Sequence, residues 1–245
     1  SLDRVIYTYD KDSKEWSEHI RFTCQQPSFT PLAATDKGWL VTGSKFSPSG
    51  ELVEYNDTNA LYLYNPETRE FSEKLYQDPN YDVGGFTGTC RNASGGAGVD
   101  YDTRKLLYVT YEAQEPVKIY FDDEIAEIYN GLDAVFPNEW VSVVTRDKDR
   151  NKMVIRVSSP SNPGDYYFYN REQSQLIPLY TYAPWIDRKI MAETIPVKYT
   201  ARDGLVIPAY LTLTKKKTDK NYMIVLPHGG PNTKQRIGFD WWTQF

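Results

Sequence analysis

The sequence predicts a mainly β protein: part of a β-propeller, about four blades, followed by the opening strands of an α/β domain. Three observations predict it. Aromatic residues make up 15% of the 245 positions, including 20 Tyr and 6 Trp, and such a composition suits half-covered strands. A strand-and-turn unit recurs four times along the chain. Past residue 180 the recurrence stops and a different pattern begins.

The first unit reads Val5-Ile6-Tyr7-Thr8-Tyr9-Asp10 and then Trp16-Ser17-Glu18. The second reads Leu61-Tyr62-Leu63-Tyr64-Asn65 and then Phe71-Ser72-Glu73, so Tyr7, Tyr9 and Trp16 precede Tyr62, Tyr64 and Phe71 by 55 positions each. Val117-Lys118-Ile119-Tyr120-Phe121-Asp122 is a weaker third copy, and Tyr166-Tyr167-Phe168-Tyr169-Asn170 is a fourth. Alternating aromatics meeting polar turns such as Asp10-Lys11-Asp12-Ser13 and Asn65-Pro66-Glu67-Thr68 predict hairpins. Further apolar runs at residues 38–42, 105–110, 141–145 and 153–157 supply the other strands of each blade. Blades pack radially, so the tyrosine stripes read as core. Glycines at 84–85, 88 and 95–98 have no Lys-Ser or Lys-Thr after them and read as a loop beside a strand, not a phosphate cradle.

A formal charge of −5 excludes a nucleic-acid role, because neutralising phosphates needs a basic face. The basic run Lys215-Lys216-Lys217 beside Asp219 reads as a solvated loop. No apolar stretch is long enough to span a membrane, and the first residues contain no signal-peptide core, so the expected protein is soluble with its compartment open, cytoplasmic or exported. Cys24 and Cys90 lack CxxC or Cys/His neighbours; they read as buried thiols or a disulfide, not a metal site. Asn56-Asp57-Thr58 and Asn92-Ala93-Ser94 fit the glycosylation pattern, as many loops do, and Asp122-Asp123-Glu124 reads as a solvated turn or a channel-lining group.

The domain boundaries follow. Residues 1–180 hold the blades. Residues 181–194 form a packed connection in which Pro184 breaks regular structure and Trp185 and Ile186 anchor. Residues 195–245 begin a second domain. There two strand patterns, at residues 195–200 and 205–213, flank a hairpin turn at Asp203-Gly204. The run Tyr222-Met223-Ile224-Val225-Leu226 reads as a strand buried on both faces, ending in Pro227-His228-Gly229-Gly230-Pro231. Asp240, Trp241 and Trp242 read as the start of the next helix, with the tryptophans in the core.

A strand ending in His-Gly-Gly-Pro matches the oxyanion-side loop of α/β-hydrolases, where glycine lets a main-chain N–H approach a developing alkoxide. Gly230 is the expected donor, with His228, Gly229 and Pro231 supporting the loop. Three stretches then resemble the acylaminoacyl-peptidase-like branch of the prolyl oligopeptidase superfamily. They are Val157-Ser158-Ser159 through Pro163-Gly164-Asp165-Tyr166-Tyr167, Tyr199-Thr200-Ala201-Arg202-Asp203-Gly204 through Leu211, and Leu226-Pro227-His228-Gly229-Gly230-Pro231 with Gly238-Phe239-Asp240.

The resemblance implies a propeller capping an α/β-hydrolase domain, short peptide substrates, an acyl-enzyme formed by a Ser-His-Asp triad, and no metal or cofactor. In the family the triad lies downstream of this loop. The resemblance therefore implies an internal piece of a longer peptidase, without catalytic Ser, Asp and His and inactive by itself. The missing remainder of propeller and hydrolase would be its partner, and its uncovered sheets leave oligomerisation open. Two other readings stand beside it: a non-catalytic propeller that binds proteins or carbohydrate, and an esterase or lipase. Residues 195–231 count against the first and the blades against the second.

Overall fold

The computed structural model describes residues 3–23, 26–84, 96–215, 222–229 and 235–245. They form two compact units, Ser1–Ala126 and Glu127–Phe245. Cys24, Cys90, Asn92, Lys216 and Lys217 lie outside the described residues.

Three antiparallel sheets stack in the first unit. Strands β1 (Asp3–Tyr9) and β2 (Trp16–Thr23) form a hairpin with a bulge at Ile6/Tyr7. Next come β3 (Phe29–Thr35), β4 (Gly38–Gly43), the short hairpin β5 (Lys45–Phe46) and β6 (Leu52–Glu54), β7 (Ala60–Tyr64) and β8 (Tyr76–Gln77). They give a four-stranded sheet in the order β3-β4-β7-β8. The third sheet orders β11 (Pro116–Tyr120), β10 (Leu106–Glu112) and β9 (Gly96–Val99). Gly96 and Gly98 are thus edge-strand residues, where a loop was expected.

The period-2 alternation of β4 and β7 explains the stacking. Val41, Tyr62 and Tyr64 form one core with Phe22 of β2, with Ile6 and Ile20 packed alongside. Leu40 and Leu61, on the opposite face, form a second core with Val109 and Tyr111 of β10. The middle sheet is therefore covered on both faces, and each such side chain contributes roughly 1.5–3 kcal/mol by leaving water.

The hairpin turns repeat an atomic pattern. The carboxylate of Asp10 accepts from the amides of Asp12 and Ser13, the Asn65 side-chain carbonyl from Glu67 and Thr68, and the Asp100 carboxylate from Asp102 and Thr103. Each turn then passes through a left-handed residue: Lys14 at φ 58°, Arg69 at 60° and Arg104 at 60°. Such residues are disfavoured sterically by about 1–2 kcal/mol. Two of them reach back to the sheet before: an Arg69 NH2 donates to the carbonyl of His19 in β2 (3.1 Å), and an Arg104 NH2 to that of Ala34 in β3 (2.8 Å).

Several expectations for this unit change. The third copy, around Tyr120, is strand β11, but helix α1 (Asp123–Val135) follows it in place of a hairpin turn. The hairpin turn of that sheet sits at Asp100, between β9 and β10. Asp122 is buried: it caps α1 by accepting from Ile125 N and pairs with Lys105, so the acidic cluster is a helix start and not a solvated turn. The boundary between the units falls inside this helix, whose buried face is Ile125, Ile128, Tyr129 and Leu132. Asn56 is buried too, donating to Gly43 O and Tyr62 Oη, which removes it as an exposed glycosylation acceptor. His19 lies in β2. The tyrosine stripe is buried core in the second copy, exposed at Tyr7 and Tyr9 in the first, and half-buried in the third and fourth.

The second unit contains a four-stranded meander of β12 (Trp140–Arg146), β13 (Lys152–Ser159), β14 (Asn162–Asn170) and β15 (Gln175–Thr181). Met153, Ile155 and Val157 point one way along β13 and are buried. The hairpin of β16 (Thr194–Thr200) and β17 (Val206–Thr212) turns at Gly204, φ 88°, with the Asp203 carboxylate accepting from Leu205 N, as the Asp-Gly pair predicts. Helix α2 (Trp241–Gln244) is capped by Asp240, which accepts from Thr243 N. Trp241 and Trp242 are exposed, not core, and in the connection Ala183 is buried while Trp185 is exposed. A four-residue helix has too little surface to bury two indoles against a partner.

Candidate functional site

The expected oxyanion loop is only partly within view. Residues 222–229 carry no strand, and Tyr222, Met223, Ile224, Val225 and Leu226 are all more than 60% exposed. The doubly buried strand is therefore not formed. A central parallel strand needs hydrogen-bonded neighbours on both sides and layers on both faces. Among the described residues the nearest candidate, the β16–β17 hairpin, pairs only with itself. His228 is exposed, with its Nδ1 donating to the adjacent Gly229 carbonyl at 2.9 Å. Gly230 and Pro231 lie outside the described residues.

The other histidine is structural. His19 is buried in β2; its Nε2 pairs with Tyr64 Oη at 2.7 Å, and its ring meets those of Trp39 and Tyr64 edge-on. Burial, and then the Arg69 charge, hold its pKa below the usual imidazole value. Neither histidine has a carboxylate partner among the described residues. Nor do three His, Cys, Asp or Glu side chains converge there as metal ligands. No helix of the described residues is long and apolar enough to cross a membrane.

The best-organised polar site of the second unit is one that sequence reasoning missed. The turn between β13 and β14 is built around Asn162, which is completely buried. The two hydrogens of its Nδ2 are shared among Glu139 Oε1, Val157 O and Asp165 Oδ2, and its Oδ1 accepts from Gly164 N. Arg156 braces the turn from β13 by donating to Pro163 O at 2.7 Å. Gly164 sits at φ 144°, a conformation that residues with a side chain rarely adopt, and a Cβ there would also press on Arg156 Nε at 2.8 Å. Arg188 spans the two carboxylates, with NH1 on Asp165 (2.7 Å) and NH2 on Glu139. Tyr182 N adds a bond to Gly164 O.

Gln244 of α2 donates to Pro160 O and Ala192 O and accepts from Ala192 N. Pro163-Gly164-Asp165 is visible as a motif, but Arg188 lies 49 positions from Glu139, and no local pattern links them.

No family model matches the chain. Two curated proteins do. Dipeptidyl aminopeptidase BIII of Pseudoxanthomonas mexicana is 27% identical over 159 residues, 62% of this chain and 23% of that protein. Dipeptidyl peptidase family member 6 of Caenorhabditis elegans is 25% identical over 93% of this chain and 32% of that protein. A solved prolyl endopeptidase structure overlaps 97% of this chain and 47% of its own at 13% identity and a TM-score of 0.35, too low to assign a fold. Both curated relatives are peptidases by name. The resemblance of residues 150–245 to the prolyl oligopeptidase superfamily is in line with these two similarities. The chain spans 23% and 32% of the length of these two relatives.

Proposed function

We propose that the chain is the section of a serine oligopeptidase in which propeller blades lead into the hydrolase domain. Residues 1–180 are blades, 181–194 the connection, and 195–245 the start of the peptidase domain. The parent hydrolyses short peptides through an acyl-enzyme, and the main-chain N–H of Gly230 serves the oxyanion, its loop held by His228, Gly229 and Pro231. The observation that carries this reading is that both curated relatives are dipeptidyl peptidases. They favour dipeptide release over acylaminoacyl release as the parent's reaction. The stacked, twice-covered middle sheet supports the propeller part, and the β16–β17 hairpin supplies the first strands of the second domain.

Dipeptidyl and acylaminoacyl anilides distinguish the reactions. The 245-residue chain alone is expected to release no anilide. Joined to the downstream remainder of a relative, it is expected to act on the dipeptidyl reporter, and Gly230→Pro in that protein removes about 10²–10³-fold of kcat by deleting one oxyanion donor. Unchanged kcat in that variant would refute Gly230 as the donor. The second reading, a propeller that only binds partners, is favoured by the uncovered aromatic face of Tyr7, Tyr9 and Trp16. It requires that no joined protein hydrolyse either reporter.

A further inference from the structure

The turn between β13 and β14 takes hold of the chain at two places far apart in sequence. Arg188 meets it before β16, and Gln244 meets it at the far end, in α2. We infer that Arg188 and Gln244 form a clasp on this turn. It pins both ends of the segment that carries β16, β17 and the Pro227-His228-Gly229 loop to one point of the β12–β15 sheet, and so positions that segment.

Three features make a clasp of what could have been ordinary surface contacts. The turn is a fixed anchor, because Asn162 is wholly buried with its amide facing four polar partners and Gly164 holds a backbone conformation that favours glycine. Its carboxylates are held out of bulk water, with Glu139 and Asp165 side chains only 16% and 11% exposed. A planar guanidinium forked between two such acceptors fixes direction as well as distance, which the compact lysine ammonium does not. Gln244 uses one amide group three ways: its oxygen takes the Ala192 N–H, and its NH2 serves the carbonyls of Ala192 and Pro160. It thereby treats the backbone just before β16 as a neighbouring strand would. Closing a loop costs entropy that grows only slowly with its length, so two contacts suffice to keep the ends of a long segment together.

The positioning role rests on the proposal that this segment opens the peptidase domain; the clasp itself does not. Hydrogen exchange by mass spectrometry on the 245-residue chain tests it without any assay of activity. Arg188→Gln is expected to speed exchange at Tyr182 and Ala192 about tenfold, as local opening at the segment's entry does, while Ile155 and Val157 of β13 stay protected. Gln244→Ala is expected to do the same at Ala192 and to loosen Tyr182 in turn, because both ends share one anchor. Arg188→Lys, which keeps the charge and loses the fork, should fall between the parent and Arg188→Gln; it also serves should the glutamine variant fail to fold. Exchange at Ala192 unchanged in the arginine variants, or β13 opening as far as residues 182–192, would overturn the inference. Because exchange is read on the chain alone and hydrolysis only on the joined protein, failure of the clasp and failure of the peptidase reading are told apart.

Discussion

The hairpin of β1 and β2 and the outer part of the middle sheet share a sequence pattern and differ in burial. Tyr62 and Tyr64 are 0% and 2% exposed, whereas their counterparts Tyr7 and Tyr9 are 50% and 46% exposed and Trp16 is 68% exposed. Both copies form antiparallel strands with the same turn chemistry. What differs is the neighbour. The face of Tyr62, Tyr64 and Phe71 is covered by Phe22, Ile6 and Ile20, while among the described residues no core cluster includes Tyr7, Tyr9 or Trp16. A repeat therefore encodes its strand and turn locally, but its contribution to stability depends on the next sheet.

That contrast can be broken most severely at Tyr64. Tyr64→Ala is expected to cost about 3–5 kcal/mol by opening a cavity among Phe29, Trp39 and Phe71, whereas Tyr9→Ala stays within about 0.5 kcal/mol; urea unfolding followed by tryptophan fluorescence measures both. Equal losses would mean that the two faces are covered alike in solution.

Asn56→Ala is expected to cost about 1–3 kcal/mol, because it removes a buried donor from the Gly43 carbonyl and the Tyr62 hydroxyl. The same unfolding experiment at pH 7 reads it.

The third prediction uses pH. His19 titrates lower in the folded protein than its ordinary value of 6.5, with burial as the main cause. The unfolded chain then takes the proton first, so this contribution to stability is complete above about 6.5 and declines as pH falls from there through the lowered folded value. His19→Gln should flatten the stability profile over that window. A profile with the same slope in both proteins would assign the effect to other groups.

The smallest effect is expected in the turns. Lys14→Gly relieves a left-handed backbone and should change stability by less than about 1 kcal/mol, in the stabilising direction. Arg69→Gly offers the same relief and should nevertheless destabilise, because it removes the bond to His19 O. Thermal melts of the pair, compared with the parent, give the sign.

Much of this was legible from residues alone. The 55-residue offset placed Asp10 and Asn65 in equivalent turns, and the structure gives them the same amide partners. Asp203-Gly204 lies in the loop of its hairpin, whose strands run 194–200 and 206–212 against the expected 195–200 and 205–213. Helix α1 was missed although Ile125, Ile128, Tyr129 and Leu132 are spaced for one face, because a β-repeat reading absorbed the strand before it. The run at 222–226 shows the opposite failure: its composition describes a buried strand, but burial is conferred by partners that composition does not contain. Arg188 and Gln244 were invisible because each acts on groups remote in sequence. Gly230, the residue on which the proposed chemistry turns, lies outside the described residues.

The arginines at the left-handed turns carry one more implication. A guanidinium extended from the tip of one hairpin to a main-chain carbonyl of the preceding sheet works as a tether, since the length of the side chain limits how far the two can part. The acceptor is backbone, so the tether reads no side chain of its neighbour. The residue that supplies that carbonyl is free to change while the link is kept.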